Sequence, residues 1–383
     1  MTGAGGRMPG EIFLVATPGL EAFVAEEARE AGFQGVTVGP GGVTVAGGWP
    51  EVWRANLELR GPSRVLARIG AFRAMHLAQL DKRARKFAWG EVLRADVPVR
   101  VEATCHASRI YHAGAAAERV GKAIAEEFGA PVQYAGKAEE VFVGGVALKV
   151  RISDDLVTFS VDTSGEGLHK RGHKAQVGKA PMRETMAAMF LRACGYRAGE
   201  AVVDPMCGSG TFVIEAAEIT AGLQPGRSRG FAFEKLATFD AGVFAGLRRE
   251  GTVNGPVVGF GSDRDDGAIR AAVANADRAG VAALTAFHRA AVSDLEPPEG
   301  VTPGMVIVNP PYGARIGDRR QLFALYGAMG RVLRERFVGW RVGIITSDAG
   351  LAKATALPFL PMGDSVAHGG LRIALYRTDV LQA

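Results

Sequence analysis

The stretch Val306-Ile307-Val308-Asn309-Pro310-Pro311-Tyr312-Gly313 decides the fold. Its apolar run, Met305 to Val308, predicts a buried parallel strand. Pro310 and Pro311 cannot donate to a ladder, so the chain must leave the sheet just after Asn309. An amide side chain, the Pro310 carbonyl and the Tyr312 ring are thereby gathered at the C-terminal edge of a strand, where open α/β sheets bind ligands. The amide oxygen and the carbonyl are both acceptors and together suit an NH2 group, while an aromatic ring suits the flat face of a base. The stretch points to modification of an exocyclic amine. An ordinary strand-to-loop turn is the other reading, because Asn-Pro marks turns generally.

Working outward, Ala201 to Asp204 reads as a strand, followed by Pro205-Met206-Cys207-Gly208-Ser209-Gly210-Thr211 and a helix over Phe212 to Ile219. A strand, a glycine turn and a helix in that order let backbone N–H groups approach a ligand closely, which makes this a cofactor loop. It lacks the Gly-Lys-Ser/Thr of a nucleotide phosphate loop, which disfavours ATP hydrolysis. Cys207 reads as a packing thiol more readily than as a nucleophile. A strand from Val257 to Ser262 ends on Asp263, an acidic tip placed to accept from ribose hydroxyls; with Arg264 and Asp265 beside it, a charge in a solvated turn is the alternative. Further strands over Leu284 to His288, Val342 to Thr346 and Leu371 to Tyr376, and helices over Asp266 to Ala279 and Arg319 to Phe337, predict a doubly wound α/β sheet. A helix opening at Pro181 and ending near Cys194 precedes it.

The front half alternates differently. Glu11 to Ala16, a helix from Pro18 to Ala31, a hairpin flanking Gly39-Pro40-Gly41-Gly42, a helix over Pro50 to Leu59 and a strand from Ser63 to Ile69 make a ferredoxin-like β-α-β-β-α-β order. Then come Lys82, Arg83, Arg85 and Lys86 with Phe87 and Trp89 interleaved, a mixture that suits a nucleic-acid backbone and its bases, or equally a solvated helix face with two rings in the core. A second small α/β module follows over Val97 to Val161. Lys170, Arg171 and Lys174 concentrate charge in a linker and favour phosphate contact over mere flexibility.

Bulk properties exclude several classes. The 383 residues are 48% hydrophobic and 22% charged, which is globular composition with length for two domains. The net charge of +5 permits a polyanionic partner. Three cysteines in no paired spacing support neither a disulfide framework nor a metal site, and fit a reducing compartment. With no long apolar run, a cytoplasmic protein is expected.

Asp204 to Thr211, Asp263, Asp294 and Asn309 to Tyr312 resemble the successive motifs of class I S-adenosylmethionine-dependent amino-methyltransferases. Leu168-His169-Lys170-Arg171-Gly172, Ala180-Pro181-Met182-Arg183-Glu184-Thr185 and the Asp204 loop together resemble the bacterial 23S rRNA guanine-N2 methyltransferases of the RlmL type. The resemblance covers nearly the whole chain. It implies an N-terminal ferredoxin-like segment (1–70), a THUMP RNA-binding domain (71–165) that can interleave with it, a basic linker (166–180) and a Rossmann-like methyltransferase domain (181–383) with a reversed last strand. Asn309, Pro310, Pro311 and Tyr312 would be catalytic. Asp204, Pro205, Met206, Cys207, Gly208, Gly210, Thr211, Asp263, Arg264, Asp294, Glu184 and Thr185 would hold S-adenosyl-L-methionine. Lys82, Arg83, Arg85, Lys86, Lys170, Arg171, Lys174 and Arg315 would bind RNA, most plainly 23S rRNA, with no metal and a monomeric protein. Ala291 stands where many relatives carry an acidic residue for adenine, and a chain ending at Ala383 would carry a single activity. The same reaction on tRNA, DNA adenine methylation, and a noncatalytic RNA-binding assembly factor are the competing readings.

Overall fold

Alternation at the start of the chain sets the first sheet. In the computed structural model Ile12 and Leu14 are wholly buried on β1 (Glu11–Val15) while Glu11 faces out. Residues 9–134, 144–174, 182–312 and 319–383 are described. They fall into two compact units: Met1–Ala16, Val24–Leu168 and Arg229–Arg248 form the first; Thr17–Phe23, His169–Ser228 and Arg249–Ala383 form the second.

In the first unit β1 is followed by α1 (Glu21–Glu30, whose first turn, to Phe23, is assigned to the second unit), β2 (Gln34–Gly39), β3 (Gly42–Ala46), α2 (Trp49–Glu58) and β4 (Arg64–Arg73). The strands lie in the order β2-β3-β1-β4, antiparallel throughout, which is the ferredoxin-like arrangement. The first helix starts at Glu21 rather than Pro18, because the Leu20 N–H closes a turn onto the Thr17 carbonyl at 2.9 Å. The module that follows comprises α3 (Leu77–Arg85), β5 (Val99–His106), α4 (Ala113–Glu127), β6 (Val132–Tyr134), β7 (Val146–Ser153) and β8 (Leu156–Asp162). It is not a separate sheet: the long β4 pairs with β1 on one side and β8 on the other, giving one eight-stranded sheet, β2-β3-β1-β4-β8-β7-β5-β6. Trp89 is a core residue and Phe87 is half-buried against it, which corrects the base-stacking reading. Their rings pack on Phe159 at 5.3 and 5.1 Å, and the Trp89 indole donates to the Ala84 carbonyl at 2.9 Å.

The second unit begins, among described elements, with α5 (Glu184–Ala193); the expected opening at Pro181 lies outside the described residues. β9 (Val202–Asp204) and α6 (Thr211–Thr220) follow. The chain then contributes Arg229–Arg248 to the first unit. There, α7 (Ala241–Leu247) and a cluster of Phe231, Phe233, Phe239 and Phe244 pack, with Trp53 of α2 meeting Phe239 edge-on at 5.8 Å. Back in the second unit are β10 (Gly259–Asp263), α8 (Asp266–Ala279), β11 (Thr285–Arg289), β12 (Met305–Val308), α9 (Arg319–Arg336), β13 (Arg341–Thr346), α10 (Ala349–Ala354), β14 (Val366–His368) and β15 (Leu371–Arg377). The sheet order is β11-β10-β9-β12-β13-β15-β14, parallel except that β15 runs antiparallel to both neighbours. All four residues of β12 are buried, as expected of a strand covered on both faces. Strand order reverses between β9 and β12, so a crevice must open beyond their C-terminal ends. No helix among the described residues is long and apolar enough to cross a membrane.

Candidate active site

At the end of β12 the double proline does what its chemistry requires. Asn309 leaves the sheet half-buried, and its Oδ1 is shielded from solvent yet has no hydrogen-bond partner among the described residues. Buried acceptors are nearly always satisfied, so an orphaned amide oxygen here points to a donor supplied by a ligand. The turn is held from behind. Tyr326, wholly buried on α9, donates its hydroxyl to the Pro311 carbonyl at 3.3 Å. Burial raises both the Tyr326 and the Tyr312 phenol, keeping each protonated. Tyr312 is half-buried against the core cluster that contains Tyr326 and Leu322.

The glycine loop after β9 meets the tip of β10. Gly208 and Gly210 have φ of +52° and +85°, a backbone region that strains any side chain, and a Cβ at Gly210 would also crowd Ala272 and Phe287 at 3.2 Å. Asp263 accepts from the Gly208 N–H at 3.1 Å and from the Asp265 N–H at 2.9 Å, which ties the loop to the acidic tip. Asp204 is buried and accepts from the Met206 N–H at 3.1 Å; burial, with Asp263 nearby, pushes its carboxyl up to about 8. Burial, reinforced by both carboxylates, pushes the Cys207 thiol up, so it is a packing group and not an activated nucleophile.

A cavity of about 510 Å³ opens where the crevice was expected. Pro205 and Met206 reach it from β9, Asp263 and Arg264 from β10, and Asn309 and Pro311 from β12. Ala291 and Ser293 line it after β11, and α9 closes it with Gln321, Leu322 and Leu325. The volume falls in the range of small-molecule sites, roughly 300–1,000 Å³. The α9 residues were not singled out from sequence: an amphipathic helix shows its apolar stripe, but not which part of it meets a cavity. Asp294 is exposed and accepts from the Ser293 hydroxyl at 3.1 Å; the wall here is Ser293.

Several cations expected at RNA turn inward. Arg171 is 2% exposed and pairs with Glu215 at 3.3 Å. Lys174 bridges Glu184 at 2.9 Å and the Thr211 hydroxyl at 2.8 Å, joining α5 to the start of α6. Between them His173 is buried against Glu218, and burial lowers its pKa. The linker's charge therefore braces the second unit, and Arg171 and Lys174 are corrected from phosphate ligands to internal partners. Thr185 is buried beside Glu184, and of the three linker cations only Lys170 is an exposed residue. In the first unit Arg85 is surrounded by Glu126, Glu127 and Asp81 at 2.7, 2.7 and 3.0 Å, which raise its guanidinium pKa and neutralise it locally. Lys82, Arg83 and Lys86 remain exposed, whereas Arg315 lies outside the described residues. Among the described residues no group of three or more His, Cys, Asp or Glu is placed to hold a metal ion.

Known proteins share this organisation. A family described as RMKL-like, methyltransferase domain (UPF0020), matches residues 171–359, and the RlmL ferredoxin-like domain matches residues 11–66. The ribosomal RNA large subunit methyltransferase K/L of Syntrophotalea carbinolica is 36% identical over 358 residues, 90% of this chain and 50% of that protein. The chain thus spans about half the length of the K/L relatives it matches. A crystal structure from Listeria monocytogenes, described as a predicted N6-adenine-specific DNA methylase, is 30% identical with a TM-score of 0.83, covering 97% of this chain and 96% of its own. SMU.472, whose structure is described as that of a methyltransferase complexed with SAH, has a TM-score of 0.84 at 26% identity, covering 98% of this chain and 99% of its own. The chain belongs to the RMKL-like methyltransferases, with an RlmL-type ferredoxin-like domain ahead of its methyltransferase domain.

Proposed function

We propose that this chain transfers a methyl group from S-adenosyl-L-methionine to the exocyclic N2 of a guanine in 23S rRNA. The observation that carries the reading is the orphaned Asn309 Oδ1 on the wall of a cofactor-sized cavity. The name of the K/L relative supports the large-subunit rRNA, and the SAH bound in the SMU.472 structure supports the cofactor. The residues present fit that cofactor. Asp263 at the tip of β10 offers a carboxylate to ribose hydroxyls, Leu322, Leu325 and Met206 offer apolar surface to the adenine, and the left-handed glycines admit the methionine end closely.

When bound, the cofactor supplies an electrophilic sulfonium methyl group. The chain's own residues do the rest. The target base is flipped out of its stack and Tyr312 receives its face. Asn309 Oδ1 and the Pro310 carbonyl would accept the two amine hydrogens and aim the nitrogen lone pair at the methyl group, with S-adenosylhomocysteine as the leaving group and the surplus amine proton passing to solvent. Tyr326 holds the turn through Pro311. Positioning, rather than a strong base or a metal, supplies most of the rate in this account. The front half, a THUMP-type module over 71–165, grips the RNA through Lys82, Arg83 and Lys86, with Lys170 of the linker adding a further cation, in a monomeric cytoplasmic enzyme.

The test is transfer of labelled methyl groups to separate pools of unmodified rRNA, tRNA and DNA, followed by nucleoside mass spectrometry. N2-methylguanosine in rRNA alone is the expected result. The same product in tRNA would move the substrate and keep the chemistry. N6-methyladenine in DNA would replace the reading with the one in the Listeria relative's name.

A further inference from the structure

We infer that the loop carrying Tyr111 in the first unit is a stacking platform for an unpaired base of the RNA substrate, a role that rests on the proposed RNA methylation. Tyr111 is 84% exposed, the largest exposure among the large hydrophobic side chains of the described residues. Yet its backbone is fixed on both sides. Ile110 before it is buried, and His112 after it caps α4, its ring accepting from the Ala115 N–H at 3.0 Å. A rigid main chain that presents a bare aromatic ring is not what burial of apolar surface would produce.

The frame beneath the ring is built with care. The β7–β8 hairpin turns through Asp154 and Asp155, at φ of +52° and +60°, the pair of left-handed residues that a tight two-residue hairpin requires. Ala107, at φ +44°, has no such excuse, because its methyl disfavours the left-handed region and it carries no polar group to compensate. Neighbours hold it there. The Asp155 carboxylate accepts from the Arg109 N–H at 2.8 Å, the Ser108 hydroxyl accepts from the Asp155 N–H at 3.1 Å, and the Ala74 N–H bonds to the Asp155 carbonyl at 3.0 Å. Three chain segments are thereby locked together around one surface spot.

That spot has the chemistry of nucleotide recognition. The Arg109 guanidinium, itself 68% exposed, reaches the Met75 sulfur at 3.0 Å, and Met75 is exposed as well. Arg73, opposite Leu156 across β4 and β8, is exposed, and Arg83 of the helix after Met75 lies 6.0 Å from the Phe72 ring centroid. The facing acids are Asp154, exposed in the turn, and Asp155, already engaged by Arg109. A flat ring and a thioether for the base, with Arg73, Arg83 and Arg109 for the phosphates, fit single-stranded RNA.

The experiment compares binding of an unmodified 23S rRNA transcript to the full chain and to its Tyr111→Ala and Tyr111→Phe variants, with calorimetric titration of S-adenosylmethionine as a fold control. Tyr111→Ala should weaken RNA binding about tenfold, Tyr111→Phe by less than about twofold, with cofactor affinity unchanged. Crosslinking of 4-thiouridine in the transcript to the peptide containing Tyr111 should disappear in the Ala variant. If the unsubstituted chain binds the transcript and Tyr111→Ala binds it equally, the platform is wrong while RNA methylation stands. If the unsubstituted chain binds no RNA, both fall. Loss of self-association in Tyr111→Ala, seen by sedimentation with RNA binding intact, would assign the surface to a second copy of the chain and overturn the inference.

Discussion

Tyr326 behind the Asn309 turn and Asp204 at the glycine loop make contributions that single substitutions can separate. Tyr326 touches no substrate in the proposed reaction; it acts through the Pro311 carbonyl. Tyr326→Phe keeps the ring and removes the hydroxyl, so it should lower kcat about tenfold and leave KM for the cofactor unchanged, since misplacement of a positioned group is felt in the transition state. Equal kcat would show that the bond does not matter. Asp204 makes a pH prediction. Its carboxyl is raised to about 8 when folded, so the folded state holds a proton that the unfolded chain releases near pH 4. Stability from this group is present below pH 4 and is lost as pH rises to 8, at up to about 1.4 kcal/mol per pH unit. Asp204→Asn should therefore flatten that decline, and its melting temperature should gain on the unsubstituted chain between pH 5 and pH 8. A constant difference across that range would contradict the burial argument.

At the scale of elements, the strands and helices of the second half were legible because their apolar runs and glycine turns fall at the right lengths: α8 runs over Asp266–Ala279 as its pattern predicted, and β12 ends where Asn309 begins. The segment Arg229–Arg248 was not legible. Nothing local in its phenylalanines says that they cover α2, a partner far away in sequence. Trp53, buried in that aromatic cluster, should therefore be a stability residue: Trp53→Ala is expected to cost about 3 kcal/mol in denaturant unfolding. A loss below about 1 kcal/mol would mean that the cluster packs loosely. The basic linker misled for a related reason. A run of cations looks alike whether it faces phosphates or acids, and the acids that claim Arg171 and Lys174, Glu215 and Glu184, lie elsewhere in the chain.

For the molecule as a whole, the residues that meet at the cavity were easier to pick out than the architecture. Asn309, Asp263 and the glycine loop are singled out by residue type alone, and Asn309, Pro311, Asp263, Met206 and Pro205 all line the one cavity. The sharing of one sheet by the two N-terminal modules depends on β4 meeting β8, Leu66 opposite Asp162, a pairing that no local pattern encodes. The central claim is that Asn309 holds the amine to be methylated. Its most direct test is N2-methylguanosine formation in unmodified 23S rRNA by the Asn309→Ala variant, with cofactor affinity measured on the same sample. Turnover should fall by a factor on the order of 10³ while S-adenosylmethionine still binds, as when a preorganised polar group is removed from a reacting centre. Methylation at the rate of the unsubstituted chain would contradict the account.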